Sequence, residues 1–426
     1  MSSWRTLYTS LLYSFIPFVL LRLAWRARRQ PGYLRHVGER FGRYDGRIDR
    51  PVIWLHTVSV GETRAAEPLV RVLRERWPEH RILLTHMTPT GRDTSEQIFG
   101  DRVMRCYLPY DLPGAVARFL SHFQPRFGAL LETELWPNLI HACHARSLPL
   151  FLVNARLSER SAKRYARVAR FARQTLRELT AVAAQTQADA ERLATLGARD
   201  PTVCGNLKFD RSPRAEDLSL GAQFRAQYGE RSVFLAASTR EGEEEQVLDA
   251  VAQVRHPGLL TVIVPRHPQR FDDVARLLAD RGLVFERRSD CRAVAPGTQV
   301  LLGDSMGELF AYYAACDVAF VGGSLLRLGG QNLLEACAVG KPVIVGPYMY
   351  NFEEATRLAL ESGAAQQVGD TTELGKALQS LLGDEQRRRR MGEAGTGLMR
   401  MHQGATERVA ALIESSLRAV NSGCGE

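Results

Sequence analysis

The sequence contains 426 residues, of which 45% are hydrophobic, 24% are charged and 8% are aromatic, as is usual for folded domains. This composition excludes a disordered chain, a collagen-like chain and a protein with many membrane spans. The net charge is +9, and +7 of it lies in residues 1–50, where ten arginines face three acidic residues. The remainder of the chain is nearly neutral, which disfavours a nucleic-acid partner.

An apolar segment near the N-terminus predicts a membrane anchor over residues 1–30. Sixteen uncharged residues separate Arg5 from Arg22, and as a helix they would reach about 24 Å, against about 30 Å for a hydrocarbon core. Pro17 interrupts this run, so the anchor either lies in the bilayer surface or spans it only marginally. A cleaved signal peptide is disfavoured, because the arginines follow the apolar run and should face anionic headgroups on the cytoplasmic side.

Residues 31–208 predict a first domain of the α/β class. Apolar runs at 51–58, 81–87, 127–134, 149–155 and 181–186 alternate with amphipathic segments. Continuous apolar runs indicate parallel strands that helices cover on both faces. We therefore expect a Rossmann-like, doubly wound domain.

The same alternation begins again after a polar segment at 209–230, which we predict to be a linker. Residues 231–426 then predict a second Rossmann-like domain that ends in helices. The two domains begin alike, with HTVSVGETRAAEPL and AASTREGEEEQVL. This internal similarity favours two similar domains that face a cleft, with ligands bound at the carboxyl ends of the strands.

Acidic residues follow two predicted strands of the first domain. Glu62 stands at the start of a helix, where a carboxylate could act as a general base toward a hydroxyl or merely complement the helix dipole. Glu132 and Glu134 end another strand. We expect these two side chains to point apart and only one of them to be functional.

Anion donors follow the strands of the second domain. The segments Ser238-Thr239-Arg240, Pro265-Arg266-His267-Pro268 and Gly322-Gly323-Ser324 place hydroxyls, guanidinium groups and backbone N–H groups near helix starts. Together they predict a phosphate or nucleotide site, although Gly-Gly-Ser alone is often only a turn. Farther on, Glu335 in GGQNLLE could bind ribose hydroxyls or cap its own helix.

Motifs for metals and cofactors are missing from the sequence. There is neither a Walker motif nor a GxGxxG after the first strand, and the seven cysteines form no CxxC pair. His141, Cys143 and His144 have no second ligand pair at zinc-site spacing. We therefore expect metal-independent chemistry without a cofactor.

Eight motifs carry a resemblance to a known family. They are HTVSVGE (56–62), THMTPTGR (85–92), ETELWPN (132–138), VNARLSERS (153–161), GNLKFD (205–210), PRHP (265–268), DSMGEL (304–309) and GGSL…GGQNLLEA (322–336). In this order they resemble the 3-deoxy-D-manno-octulosonic acid (Kdo) transferase family. That family transfers Kdo from CMP-Kdo to the lipid A precursor, lipid IVA, in lipopolysaccharide biosynthesis.

The resemblance implies a GT-B glycosyltransferase at the cytoplasmic face of the inner membrane. Its N-terminal domain would bind the lipid acceptor and its C-terminal domain the donor. By motif match, Glu62 is the general base of an inverting reaction, and Glu132 and Lys208 stabilise the transition state. The implied donor contacts are Pro265, Arg266, Met306, Gly307, Glu308, Asn332, Leu333, Leu334 and Glu335. We add Arg240 and Ser324 as anion donors.

One position departs from the family pattern. Gln331 stands where the family usually has a histidine, and an amide cannot be protonated. A hydrogen-bonding role could persist at this position, whereas a role that needs a charged imidazole could not.

Two other functions stay open at this point. The chain could be a GT-B enzyme that uses a UDP-sugar or another lipid acceptor. It could also be a catalytically silent scaffold that binds sugar nucleotides at the membrane. The joint presence of Glu62, Glu132 and Lys208 disfavours a silent protein.

Overall fold

The computed structural model describes residues 3–28, 30–291 and 293–422. The predicted anchor (1–30) and second domain (231–426) can be followed only over these ranges. The chain forms two compact units. The first comprises the chain up to Asp210 together with the segment from Gln403 onward, and the second comprises Arg211–His402.

The described residues of the first unit form a seven-stranded parallel sheet in the order β3-β2-β1-β4-β5-β6-β7. Its strands are β1 (Val52–His56), β2 (Arg81–His86), β3 (Met104–Tyr107), β4 (Pro125–Leu131), β5 (Leu150–Ala155), β6 (Ala181–Ala184) and β7 (Thr202–Val203). Its helices are α1 (Ser3–Ala27), α2 (Val60–Ala65), α3 (Glu67–Arg76), α4 (Pro89–Phe99), α5 (Pro113–Phe123), α6 (Pro137–His144), α7 (Glu159–Ala166), α8 (Ala169–Arg177), α9 (Gln187–Leu196) and, at the end of the chain, α18 (Ala405–Ser422). The predicted α/β class is confirmed, although the sequence reading missed β3 and β7.

Hydrophobic side chains of the central strand β1 pack on both faces of this sheet. Val52 and Trp54 belong to one core cluster, and Ile53 and Leu55 belong to the other. This alternation follows from the pleat of a strand, and it explains why the run is apolar without interruption. Gly128 on β4 makes room for the indole, because a Cβ atom there would lie 2.5 Å from the ring of Trp54.

The described residues of the second unit form another seven-stranded parallel sheet, in the order β10-β11-β9-β8-β12-β13-β14. Its strands are β8 (Val233–Thr239), β9 (Leu260–Pro265), β10 (Phe285–Arg287), β11 (Val300–Leu302), β12 (Val318–Val321), β13 (Val343–Val345) and β14 (Ala365–Gln367). Its helices are α10 (Ala215–Tyr228), α11 (Glu243–Ala252), α12 (Phe271–Asp280), α13 (Leu309–Ala315), α14 (Leu334–Ala338), α15 (Glu353–Glu361), α16 (Thr371–Gly383) and α17 (Glu385–His402).

The segment predicted as a linker, 209–230, contains helix α10 instead. Phe224 and Tyr228 are buried, and the ring of Phe224 lies 5.0 Å from that of Tyr312 on α13. The polar and charged residues around them hid this apolar spacing of four in the sequence, which is close to the helical period. Residues 211–230 of this segment are therefore part of the second unit.

The end of the chain also differs from the prediction, which placed residues up to 426 in the second domain. Helix α18 packs on the first unit, where Val409, Ile413 and Leu417 join the core cluster of Ile53 and Leu55. The carboxylate of Asp210 accepts hydrogen bonds from the N–H groups of Gly404 and Thr406 at the start of this helix. The apolar stripe of α18 thus completes one face of the first sheet.

Helix α1 is bound to the first unit along part of its length. The Tyr8 hydroxyl donates to Asp111 Oδ2 at 3.0 Å, and Thr9 exchanges hydrogen bonds with Asn138. Large apolar side chains elsewhere on this helix are exposed, among them Phe18 with 67% of its surface. Among the described residues, the stretch Trp4–Ala27 is the one helical segment long and apolar enough to cross a membrane.

Candidate active site

Both sheets have a point at which the strand order reverses, and the side chains of interest lie there. In the first unit, β1 and β4 are neighbours, while the connections that follow them run to opposite sides of the sheet. Such a switch point opens a crevice at the carboxyl ends of the two strands. Glu62 follows β1 and Glu132 follows β4, so the topology brings these two residues to one place.

The loop after β1 holds the Glu62 carboxylate in a defined position. Ser59 caps helix α2, and its hydroxyl donates to Glu62 Oε1 at 2.8 Å. The N–H group of Val58 donates to Glu62 Oε2, also at 2.8 Å. The side chain is buried, and burial together with the charges of Glu132 and Glu134 raises the pKa of Glu62 to about 8. A carboxylate with a raised pKa is a stronger base, which suits the general-base role.

Glu132 and Lys208 form an ion pair. Lys208 Nζ lies 3.1 Å from Glu132 Oε1, with both side chains partly exposed. Glu132 adopts φ = +58°, in the left-handed region that costs energy for a residue with a side chain. The N–H group of Glu132 donates to the Val153 carbonyl on β5, which holds this backbone in place.

Asparagine side chains position Lys208 in turn. The Lys208 N–H group donates to Asn206 Oδ1 at 3.0 Å, and that of Leu207 donates to Asn154 Oδ1 at 3.0 Å. These bonds tie the short helix Leu207–Asp210 to the end of β5. The structure therefore brings together Glu132 and Lys208, which lie far apart in the sequence.

Glu134 also belongs to this cluster, contrary to the prediction that it and Glu132 point apart along a strand. Strand β4 ends at Leu131, so both glutamates lie in the turn that follows it and strand geometry does not apply to them. Trp136 Nε1 donates to Glu134 Oε2 at 2.9 Å. Burial and the nearby charge of Glu132 raise the pKa of Glu134.

Two buried histidines, His56 and His86, are the last residues of β1 and β2, next to the loop that holds Glu62. The sequence alone gave them no role. His56 Nδ1 lies 2.9 Å from Thr85 Oγ1, and His86 Nδ1 lies 3.1 Å from Thr57 Oγ1. Burial lowers the pKa of His56 to about 3 and that of His86 to about 4, so both rings are neutral. Their place at the ends of two apolar strands was the signal in the sequence.

The second unit has its switch point between β8 and β12. Arg240 follows β8, Pro265 ends the neighbouring strand β9, and Arg266 comes next. Arg266 Nε donates to Gln331 Oε1 at 3.3 Å. The structure thus places the predicted anion donors Arg240 and Arg266 directly after two adjacent strands.

The Gly-Gly-Ser turn after β12 is not the open anion site that we expected. The N–H groups of Gly323, Ser324 and Leu325 all donate to the buried carboxylate of Glu243. Ser324 has no exposed surface, and its hydroxyl donates to the Val321 carbonyl and accepts from Gly346 N–H. The predicted ligand contact at Ser324 is therefore a structural one in this conformation.

Met306, Gly307 and Glu308 lie in the loop between β11 and α13. Met306 has 43% of its surface exposed, and Gly307 adopts φ = +85°, which favours glycine. Glu308 pairs with Arg288 at 3.1 Å. The loop therefore offers an exposed surface beyond a strand end.

The segment from Asn332 to Glu335 leads into α14. Leu333 and Leu334 are buried, so only their backbone atoms could touch a ligand. Glu335 Oε1 accepts from Arg211 and from Asn332 Nδ2. Within the described ranges, Glu335 Oε2 is buried and has no hydrogen-bond partner, which leaves an acceptor for a hydroxyl group.

Among the described residues, no group of three or more His, Cys, Asp or Glu side chains could hold a metal ion. Two parallel α/β units, each with polar side chains at its switch point, are the components of the GT-B class of glycosyltransferases.

Comparison with known proteins identifies the family. Residues 35–211 match the family model described as 3-deoxy-D-manno-octulosonic-acid transferase (kdotransferase), and residues 232–397 match glycosyl transferases group 1. A 3-deoxy-D-manno-octulosonic acid transferase of Bordetella pertussis is 44% identical over 97% of this chain and 99% of the relative. One from Haemophilus influenzae is 39% identical over the same shares of the two chains. The chain therefore belongs to the 3-deoxy-D-manno-octulosonic acid transferase family and is a glycosyltransferase.

Solved structures agree with the fold. The UDP-GlcNAc 2-epimerase from Neisseria meningitidis aligns with a TM-score of 0.59 at 15% identity, over 86% of this chain and 100% of that one. A glycosyltransferase from Rickettsia africae gives a TM-score of 0.57 at 12% identity, over 87% and 98%. These similarities concern the two-domain fold alone.

Proposed function

We propose that this protein transfers Kdo from CMP-Kdo to the lipid A precursor, lipid IVA, in lipopolysaccharide biosynthesis. Near full-length relatives named as Kdo transferases support the donor and the reaction. The observation that carries the proposal is the buried Glu62 carboxyl beside the Glu132–Lys208 pair at one switch point. A sugar-nucleotide scaffold would not need a base held in this way.

The chemistry assigned to Glu62 is proton transfer. Its carboxylate accepts the proton of an acceptor hydroxyl while that oxygen attacks the anomeric carbon of Kdo. The bond from this carbon to the phosphate oxygen of CMP breaks, and its electron pair leaves with the phosphate. A single displacement of this kind inverts the configuration at the anomeric carbon.

Positive side chains stabilise the charges of this reaction. Lys208, held by Glu132, suits the carboxylate of the donor sugar, and Arg266 suits the phosphate of the leaving CMP. We propose that these cations serve where other enzymes use a metal ion, so that neither metal nor cofactor takes part.

The proposed site of action is the cytoplasmic face of the inner membrane. Helix α1 exposes large apolar side chains such as Phe18, and ten arginines lie in residues 1–50. An apolar helix followed by arginines suits a bilayer with anionic headgroups. The acceptor is itself an anionic lipid, so helix α1 and these arginines would hold the enzyme at the membrane that contains its substrate.

A transfer assay tests the proposal. Wild type and Glu62→Gln are incubated with freshly generated CMP-Kdo and lipid IVA in detergent, with EDTA present, and the lipid is analysed by mass spectrometry. Glu75→Gln, an exposed glutamate on α3, is the matched control. We expect Kdo-bearing lipid from wild type and control, and a loss of about 10²-fold or more in Glu62→Gln.

Three outcomes would contradict the proposal or part of it. No product from folded wild type would reject Kdo transfer, and a parallel incubation with UDP-sugars would then test the alternative donor class. Equal product from wild type and Glu62→Gln would support Kdo transfer but reject Glu62 as the general base. Product that forms only in a parallel incubation without EDTA would reject the metal-free mechanism.

A further inference from the structure

Cationic side chains crowd the carboxyl ends of β8 and β9. Arg240, Arg266 and Arg270 lie near His267, whose pKa is lowered by burial and by these three arginines. Glu244 pairs with Arg270 at 2.9 Å and so offsets one of the charges. Arg240 and Arg266 are the other two arginines at these strand ends.

The carboxylate of Glu243 is bound by backbone N–H groups. Its oxygens accept backbone N–H groups of the turn after β12 and the N–H of Arg240. The guanidinium of Arg266 instead meets the neutral amide of Gln331, with Nε 3.3 Å from Oε1. The amide oxygen accepts this hydrogen bond without adding a negative charge of its own.

The other end of the same amide faces the turn after β12. A Cβ atom on Gly323 would lie 3.4 Å from Gln331 Nε2 and 3.5 Å from Cγ of Arg240. Because the amide oxygen faces the guanidinium of Arg266, the amide nitrogen is the atom directed toward the turn at Gly323. Across the described residues, Gln331 Nε2 has no hydrogen-bond partner in the protein.

We propose that Gln331 is a positioning residue of the donor site, which holds Arg266 through its amide oxygen and offers its amide nitrogen to the phosphate of the nucleotide sugar. This inference rests on the proposed function, since it deepens the assignment of Arg266. An amide can accept one hydrogen bond and donate another at every pH. An ionisable side chain at this position, close to Arg240, Arg266, Arg270 and His267, would gain or lose one of these capacities as it titrates.

Binding of CMP alone tests this role without the acceptor. Gln331→Met keeps the length of the side chain and removes both polar atoms. We expect its dissociation constant for CMP, measured by calorimetry, to rise about three- to tenfold. Gln331→Glu should weaken CMP binding further, because a carboxylate would neutralise Arg266 and repel the phosphate. Gln253→Met, on an exposed glutamine of the same unit, should bind as wild type does.

A double-mutant cycle separates positioning from a merely structural effect. If Gln331 acts through Arg266, Gln331→Met should weaken CMP binding much less in an Arg266→Met background than in wild type. In transfer assays, Gln331→Met should raise the KM for the donor and leave the KM for the acceptor unchanged. These readouts keep the test valid even if the single variant loses some stability.

The outcomes separate this inference from the proposed function. Wild-type transfer with unchanged CMP affinity in Gln331→Met would overturn the role of Gln331 alone. Full additivity with Arg266→Met would also overturn it. Failure of wild type to bind CMP would instead reject the proposed donor, and the role of Gln331 with it.

Discussion

Three carboxyl groups, those of Glu62, Glu132 and Glu134, gather at the switch point of the first sheet, while Lys208 pairs with one of them. Repulsion among nearby carboxylates is relieved when one of them takes up a proton. Burial and the neighbouring charges make Glu62 that residue, with a pKa of about 8. Its proton-accepting form therefore increases as the pH rises through this value.

The first prediction concerns the pH dependence of transfer. We expect kcat/KM of wild type to rise with pH up to about 8, because Glu62 must be ionised to accept a proton. Glu134→Gln removes a nearby negative charge, so the rise should move to lower pH by up to about one unit. The measurement is a pH profile of transfer, with Glu75→Gln as control. An unchanged profile in Glu134→Gln would show that this carboxylate does not influence the base.

The second prediction concerns stability. Burial raises the pKa of Glu62 from 4.5 to about 8, so the stability that its protonated form contributes is lost as pH rises through about 8. The amide of Glu62→Gln cannot ionise and avoids this loss. Relative to wild type, the variant should gain about 2 kcal/mol in free energy of unfolding between pH 6 and pH 9. Urea titrations at both pH values measure this, and a difference that does not change with pH would refute it.

At the scale of elements, the last helix is bound by more than its apolar stripe. Arg76 on α3 contacts both Glu407 and Glu414 of α18, the latter at 3.0 Å. Exposed ion pairs contribute little, so the buried Ile413 should matter more. The apolar face of α18 therefore carries most of its attachment to the first unit.

The third prediction follows from this attachment. Ile413→Ala should lower the free energy of unfolding of the first unit by about 2–4 kcal/mol, because it leaves a cavity in the core. Val420→Ala, on the exposed side near the end of the same helix, should change it by less than about 0.5 kcal/mol. Hydrogen exchange followed by mass spectrometry resolves the two units. Equal protection of β1 in both variants would contradict the assignment of α18 to this core.

At the scale of the whole molecule, apolar surface and positive charge coincide near the N-terminus. Helix α1 exposes Phe18, and the first fifty residues carry most of the net charge. The two contributions respond differently to salt, since only electrostatic attraction is screened. Membrane association can therefore be separated into its two parts.

The fourth prediction uses this difference. Binding to vesicles with anionic lipid should weaken as salt increases, whereas Phe18→Glu should weaken it at every salt concentration. Met401→Glu, which changes an exposed apolar residue outside α1, is the control. Co-sedimentation measures the bound fraction. Wild-type binding by Phe18→Glu would show that this face of α1 does not enter the lipid.

The sequence predicted those features that are set by local patterns. Apolar runs identified five strands of the first sheet, and the residues after β1 and β4 identified Glu62 and Glu132. What it could not predict depends on contacts between distant residues. The pairing of Glu243 with the turn at Ser324 spans about eighty residues, and nothing near Ser324 indicates that its N–H groups are occupied.

The position of α18 has a consequence for the order in which the chain can fold. The first unit is discontinuous in sequence, and the segment that contains α18 is translated after the entire second unit. During synthesis the sheet of the first unit emerges early with one face uncovered, where α18 will later pack. The second unit forms its core from one continuous segment, whereas the first unit acquires Val409, Ile413 and Leu417 from a segment that is made after the second unit.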